Sequence, residues 1–82
     1  MHISSIVVHV DPTAAARVRG AVDRLPGVQT QAASADGKLV VTVEAPSEGE
    51  SIAQFENVRA LSGVLAVSMV FHQFEADPDQ EV

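Results

Sequence analysis

The chain of 82 residues repeats one pattern twice: an alternating apolar strand, an amphipathic helix, and a glycine stop before the next strand. The two helices end in the matching segments Leu25-Pro26-Gly27-Val28 and Leu61-Ser62-Gly63-Val64, which lie 36 residues apart. A chain of this length forms one domain. The repeat therefore predicts two equivalent strand–helix units that share a single core.

The first half predicts a strand and a helix. Residues 3–10 alternate between two sides, with Ile6 on the core side and His9 on the other, which is typical of a half-buried strand. Asp11-Pro12 indicates a helix start, because aspartate caps free N–H groups and proline is tolerated at the first helical position. The helix stops at Pro26-Gly27. Its apolar stripe is Ala14, Val18, Ala21, Val22 and Leu25.

The second half begins with a hairpin and ends with another helix and strand. Val28–Ala33 predicts a weak edge strand, Asp36-Gly37 a tight turn, and residues 39–44 a partner strand. Ser47 and Glu50 form a capping box at the start of the second helix. That helix is expected to bury Ile52, Phe55, Val58 and Leu61. A last strand, Val64 to about Phe74, closes the domain.

The order β-α-β-β-α-β predicts an α+β ferredoxin-like fold, a four-stranded antiparallel sheet with two helices on one face. Right-handed crossovers place the first and third strands in the centre of the sheet. We expect this domain to span residues 1–75. Residues 76–82 are expected to form an acidic disordered tail, because four of the eleven acids fall in the last eight residues: Glu75, Asp77, Asp79 and Glu81.

Two helices on one face leave the other face uncovered, and its residues are the candidate functional site. In the last strand, Leu65, Val67, Met69 and Phe71 are assigned to the core, which leaves small or half-polar residues outside. Such a surface lacks the charges that normally prevent association. The predicted uncovered face has Lys38 at its margin and the following candidate site residues: Ser5, Val7, His9, Val40, Thr42, Glu44, Ala66, Ser68, Val70 and His72.

Composition excludes several classes of function. A net charge of −6 and the scarcity of aromatic residues (three Phe, no Trp or Tyr) argue against a nucleic-acid partner. The lack of cysteine removes disulfides, thiolate metal sites and thiol catalysis. No segment reaches the roughly 18 apolar residues of a membrane span, and residues 1–5 do not resemble a secretory leader. The protein is expected to stay where it is made.

Catalytic and metal-binding patterns are also missing from the sequence. No serine has a histidine and an aspartate at plausible positions, and no glycine-rich phosphate loop occurs. The three histidines, His2, His9 and His72, are separated by position or by strand parity, and no cysteine or helical carboxylate completes a ligand set. We therefore expect a protein that is not an enzyme and has neither cofactor nor metal.

Several segments resemble the NapD family over residues 4–75. The most specific is Gly63-Val64-Leu65-Ala66-Val67-Ser68-Met69-Val70-Phe71-His72-Gln73, preceded by Val58-Arg59. Ser5-Ile6-Val7-Val8 and Leu39-Val40-Val41-Thr42-Val43-Glu44-Ala45 are similar to the earlier strands of that family. Pro26-Gly27 lies where the family ends its first helix.

The resemblance implies a small cytoplasmic chaperone for the catalytic subunit of periplasmic nitrate reductase. It implies binding of the twin-arginine signal peptide of that subunit, which delays export until the molybdenum cofactor is inserted. The peptide is expected to bind as a helix on the uncovered sheet face. Its arginines are expected near Glu44, with Glu75 as a second choice.

Two other functions stay open from the sequence. One is an interaction module that forms a homodimer through the uncovered face. The other is a small-molecule sensor, which would need a ligand loop after the first strand, where the chain has only Asp11-Pro12-Thr13. Copper transport by a similar fold is excluded because cysteines are missing. The expected oligomeric state is a monomer or a weak homodimer.

Overall fold

The computed structural model describes the backbone of residues 1–74 and the side chains of residues 1–71. Its helices and strands follow one another in the predicted order. The predicted tail, residues 76–82, and Glu75 lie outside the described residues. The elements are strand β1 (His2–Val10), a 3-10 turn (Pro12–Ala14), helix α1 (Ala15–Asp23), β2 (Val28–Ala33), β3 (Lys38–Ala45), helix α2 (Glu48–Arg59) and β4 (Val64–Phe74).

The four strands form one antiparallel sheet in the order β2-β3-β1-β4, so that β1 and β3 are central as predicted. In the middle of the sheet, Val7 pairs with Val40 of β3 on one side and with Ser68 of β4 on the other. The ferredoxin-like fold class is confirmed. Because residues directly opposite each other share a face, this register fixes which side chains lie together.

The core lies between the sheet and the helices. Every second residue of β1 from Ser4 to Val10 is buried, and the residues between them are half-buried. Helix α1 contributes Val18 and Val22, and α2 contributes Val58. The buried apolar cluster is completed by Ile6, Val8, Val10, Val28, Leu39, Val41 and Val43. Neither helix of the described residues is long and apolar enough to cross a membrane.

The buried stripe of α2 differs from the prediction at one position. Ile52 was expected in the core, but its side chain is 56% exposed. Ser51 is buried instead, and its Oγ lies 3.4 Å from the Oγ of Ser4 on β1. The inward stripe is Ser51, Phe55 and Val58, a spacing of four and three residues that follows one helical face. This stripe turns Ile52 toward solvent.

The predicted cap of α2 gives a first test of the local structure. The hydroxyl of Ser47 accepts a hydrogen bond of 3.1 Å from the backbone N–H of Glu50. We expect Ser47→Ala to lower the free energy of unfolding by about 1 kcal/mol, because the N–H loses its partner. Urea denaturation measures the change. The control is Ser62→Ala, since only the backbone carbonyl of Ser62 accepts a bond, from Arg17. Equal losses in both variants would contradict the capping role.

Candidate functional site

The uncovered face of the sheet, called the open face below, begins with four half-buried residues of β1. They alternate with buried residues such as Ile6 and Val8, which face the helices. Strand pairing then assigns the residues of the other strands to the same face. By this pairing the open face includes Ile3, Ser5, Val7, His9, Gln29, Ala32, Lys38, Val40, Thr42, Glu44, Ala66, Ser68 and Phe71.

One row across the middle of the open face is small and apolar. It runs from Ala32 on β2 through Val40 and Val7 to Ser68 on β4. Val40 is 38% exposed although it lies in a central strand, because no helix covers this face. A shallow depression of about 270 Å³ lies here, lined by Val7, Ala32, Ala33, Ser34, Lys38 and Val40. The row is low enough for a helix to approach the backbone closely.

The adjacent row changes from polar to aromatic across the sheet. On the β2 side, the hydroxyl of Thr42 accepts a hydrogen bond from the Gln31 amide (3.0 Å) and donates to the Gln29 carbonyl (3.4 Å). On the β4 side, Ser5 pairs with Phe71, whose side chain is 51% exposed. The polar groups therefore have partners within the protein, and the unpartnered apolar surface is over β3, β1 and β4.

A β-bulge in β4 corrects two predictions. Ile6 pairs with Met69 and Ser5 with Phe71, so that Val70 is an extra residue without an opposite partner. Beyond a bulge the alternation of faces is reversed. Phe71 thus belongs to the open face and not to the core. Position 72 pairs with Ser4, a residue of the helix-covered face, so that His72 does not belong to the open-face row where we predicted it.

The same strand contains a second bulge, at its start. Val10 pairs with Val64 and His9 with Ala66, which leaves Leu65 as an extra residue, 70% exposed and not in the core. Val67 packs against the core as predicted. Met69 shares the face of the buried Ile6 but remains 51% exposed. Edge strand β4 is therefore only partly covered by the helices.

Sequence reasoning missed three apolar residues of the open face: Ile3, Ala32 and Phe71. The parity of Ile3 is that of Ser5 and Val7, so that the sequence pattern alone would have identified it. Ala32 comes to this face through a bulge at Gln31, since Thr30 pairs with Val41 and Ala32 with Val40. No sequence signal marks this bulge or the one at Val70 that brings Phe71 to the open face.

Charge lies at the two ends of the open face. At one end Glu44 is paired with Ile3, and at the other Lys38 is paired with His9. Asp36 lies in the turn beside Lys38. Its pKa is held below the usual value, first by the hydrogen bond from the Ser34 hydroxyl and further by the charges of Lys38 and His9. The two ends therefore differ in electrostatic character.

A wider depression of about 630 Å³ surrounds the start of β2, but its lining is mostly polar. There the carboxylate of Asp23 accepts a bond of 2.8 Å from the N–H of Thr30 and so occupies the free edge of β2. Arg19 and Glu44 also line this depression. It adjoins the open face at Glu44, and its mostly polar lining does not match the apolar stripe of an amphipathic partner.

Neither metal binding nor a ligand loop finds support in the described part of the chain. Within residues 1–71, no three His, Cys, Asp or Glu side chains are grouped closely enough to hold an ion. After β1, the Asp11 carboxylate accepts bonds from both the N–H (3.0 Å) and the hydroxyl (2.8 Å) of Thr13. These bonds lower the pKa of Asp11, and they commit its carboxylate to a local turn.

The fold and the site together define a ferredoxin-like domain with one uncovered, weakly apolar sheet face. The model of the NapD protein family matches residues 1–76. The chain is 33% identical over 79 residues to the chaperone NapD of Escherichia coli (strain K12), covering 95% of this chain and 91% of that protein. The chain belongs to the NapD family, whose members are chaperones and not enzymes.

Solved structures agree with this assignment. The solution structure of the E. coli Tat proofreading chaperone NapD superimposes with a TM-score of 0.82 and 32% identity, covering 98% of this chain and 85% of that one. A transcriptional regulatory protein of the AsnC family from Pyrococcus furiosus gives a TM-score of 0.75 at 21% identity, covering 96% and 55% of the two chains. The second likeness shows the fold alone.

Proposed function

We propose that this protein is a cytoplasmic chaperone for the catalytic subunit of a periplasmic nitrate reductase. It binds the twin-arginine signal peptide of that subunit and delays export until cofactor insertion and folding are complete. The observation that carries the proposal is the uncovered sheet face in a member of the NapD family. The likeness to E. coli NapD, a Tat proofreading chaperone, supports it.

The length of the open face along its strands matches the length of a short peptide helix. From Ile3 to His9 the strand extends about 20 Å, at about 3.3 Å per residue. A peptide helix rises 1.5 Å per residue, so that about 13 residues match this length. That is enough for an arginine pair followed by two or three turns of apolar residues. The apolar stripe of such a helix would lie over Val7, Val40 and Phe71.

The same surface explains how a disordered peptide could be held without a deep pocket. Ordering the peptide costs about 2–5 kcal/mol, which apolar contact must offset. Phe71 and Val40 are 51% and 38% exposed. Contact with the peptide would remove this apolar surface from water, which stabilises the complex. Small Ala66 and Ser68 allow the helix backbone to approach. The arginines would meet Glu44, where a carboxylate can accept two guanidinium hydrogen bonds.

Titration with a labelled signal peptide tests this function. A twin-arginine peptide of a periplasmic nitrate reductase is expected to bind saturably, with a Kd between nanomolar and micromolar values. A peptide with two lysines in place of the arginines is expected to bind more weakly, because lysine cannot make the paired contact. Fluorescence anisotropy or calorimetry measures both constants.

Absence of binding at about 100 μM peptide, a concentration that would reveal even weak complexes, would contradict the proposal. The mass of the protein in solution would then decide the alternative. A dimer that dissociates on dilution, and that Ser68→Arg disrupts, would identify the open face as a homodimer interface.

A further inference from the structure

The two ends of the open face differ in charge, and residues next to the face contribute to this difference. Beside Glu44, β3 ends at Ala45, and the first turn of α2 then adds Glu48 and Glu50. The positively ionisable groups at this end are the N-terminus, His2, which pairs with Ala45, and Arg19, which lines a depression together with Asp23 and Glu44. The described part of β4 also finishes here, because Phe74 pairs with His2.

The opposite end is close to neutral and has its positive charge on the open face. Lys38 and His9 are paired there. Asp36 lies in the adjoining turn, and Asp11 follows β1. Arg17 also belongs to this end, because its guanidinium donates a 3.0 Å bond to the carbonyl of Ser62 just before β4. On the open face itself, one end therefore has a carboxylate, Glu44, and the other has a permanent cation, Lys38.

A helical peptide with an arginine pair near its N-terminus has the complementary polarity. Its N-terminus carries the arginine charges and the positive end of the helix dipole, while its C-terminus carries the negative end of the dipole. Both effects favour the N-terminus at Glu44 and the C-terminus at Lys38. The opposite orientation would place the arginines beside Lys38.

Resting on the proposed function, we infer that the signal peptide binds in one direction, with its arginine pair at Glu44 and its C-terminal end at Lys38 and His9. The peptide helix then runs parallel to β1 and antiparallel to β3 and β4. Glu44 and Lys38 determine the direction, and the apolar rows between them supply the contact area.

Distance measurements between spin labels test this direction. The chain has no cysteine, so that single labels can be introduced without removing native residues of that type. Ala35→Cys places a label in the turn at the Lys38 end, and Pro46→Cys places one just beyond β3 at the Glu44 end; both positions are exposed. The two positions are separated by β3, about 23 Å long at about 3.3 Å per residue.

The twin-arginine peptide carries its own label at its N-terminus, and its distance to each singly labelled variant is measured. We expect a short distance to position 46 and one longer by about 20 Å to position 35. A short distance to position 35 would overturn the inferred direction but leave the proposed function intact. Equal distances to both positions would also overturn it, because they indicate a peptide that binds in both directions. Failure of the peptide to bind at all would remove the proposed function itself.

Exchanging the charges of Glu44 and Lys38 tests whether these two residues determine the direction of the peptide. The double variant Glu44→Lys, Lys38→Glu keeps the net charge and exchanges the two ends. It is expected to reverse the pattern of distances, or to weaken twin-arginine binding about tenfold, as expected for a lost charge-assisted pair. Glu44→Gln alone is expected to weaken binding about fivefold, and Lys38→Gln less than about twofold. An unchanged direction with unchanged affinity in the double variant would show that these charges do not orient the peptide.

Discussion

Replacing Ser68 with arginine is expected to abolish signal-peptide binding and leave the fold intact. Ser68 lies in the middle of the open face, opposite Val7, and its small side chain is exposed. A long charged side chain there would hold the peptide helix away from the sheet and repel its arginines. We expect the Kd to rise more than about a hundredfold, because the apolar contact and the close approach are lost together. Ala66→Trp is expected to act in the same way by volume alone.

The matched control is Ala16→Arg, which introduces the same side chain at an exposed position of α1, on the opposite layer of the molecule. It is expected to bind the peptide like the original protein. Circular dichroism and the urea midpoint show whether each variant is folded. A folded Ser68→Arg protein that keeps nanomolar to micromolar affinity would show that the peptide does not bind at the open face.

The strongest destabilisation is expected from substitution of Gly27, which ends the connection from α1 to β2. Its φ is +73°, a region that other residues adopt only with strain. An added Cβ would also overlap with the backbone carbonyl oxygen of Glu44. The N–H of Glu44 donates a 2.8 Å bond to the Gly27 carbonyl, so that the two backbones cannot separate freely. We expect Gly27→Ala to lower the free energy of unfolding by about 2–4 kcal/mol.

Gly20→Ala is the matched control. Gly20 lies inside α1, and a Cβ there would meet no atom within 4 Å apart from the neighbouring backbone of its own helix. This substitution is expected to raise the free energy of unfolding by about 0.5–1 kcal/mol, because alanine loses less backbone entropy in a helix than glycine does. Urea denaturation of both variants measures the opposite signs. A destabilisation of less than about 0.5 kcal/mol at Gly27 would contradict the steric argument.

The central part of the open face was predictable because its residues lie in uninterrupted strands. In β1 and β3, strict alternation assigns Ser5, Val7, Val40 and Thr42 to one face, and the paired register confirms their placement. Ala66 and Ser68 were also placed correctly, since both lie between the two bulges of β4. Whether these residues bind a peptide remains a prediction that the experiments above address.

The edges of the face were not predictable by the same rule. A prediction from alternation assumes that every residue of a strand has one partner. Leu65 and Val70 on β4, and Gln31 on β2, have none. Each extra residue shifts the alternation by one, so that the residues on its two sides cannot be assigned by one continuous pattern. Phe71 therefore became the largest exposed side chain of the open face although its sequence position suggested the core.

The order of the elements, the caps and turns, and most of the helix-covered layer could be predicted from the sequence, because local periodicity and backbone preferences encode these features. The sequence also determined the family through motifs along almost the whole chain. The composition of the open face at its edges and the exposure of Ile52 became known only from the folded structure. These features depend on packing against residues that are distant in sequence, such as Ser4 against Ser51, because that packing fixes the pairing of a strand and the rotation of a helix, and a shift of one residue exchanges inside and outside.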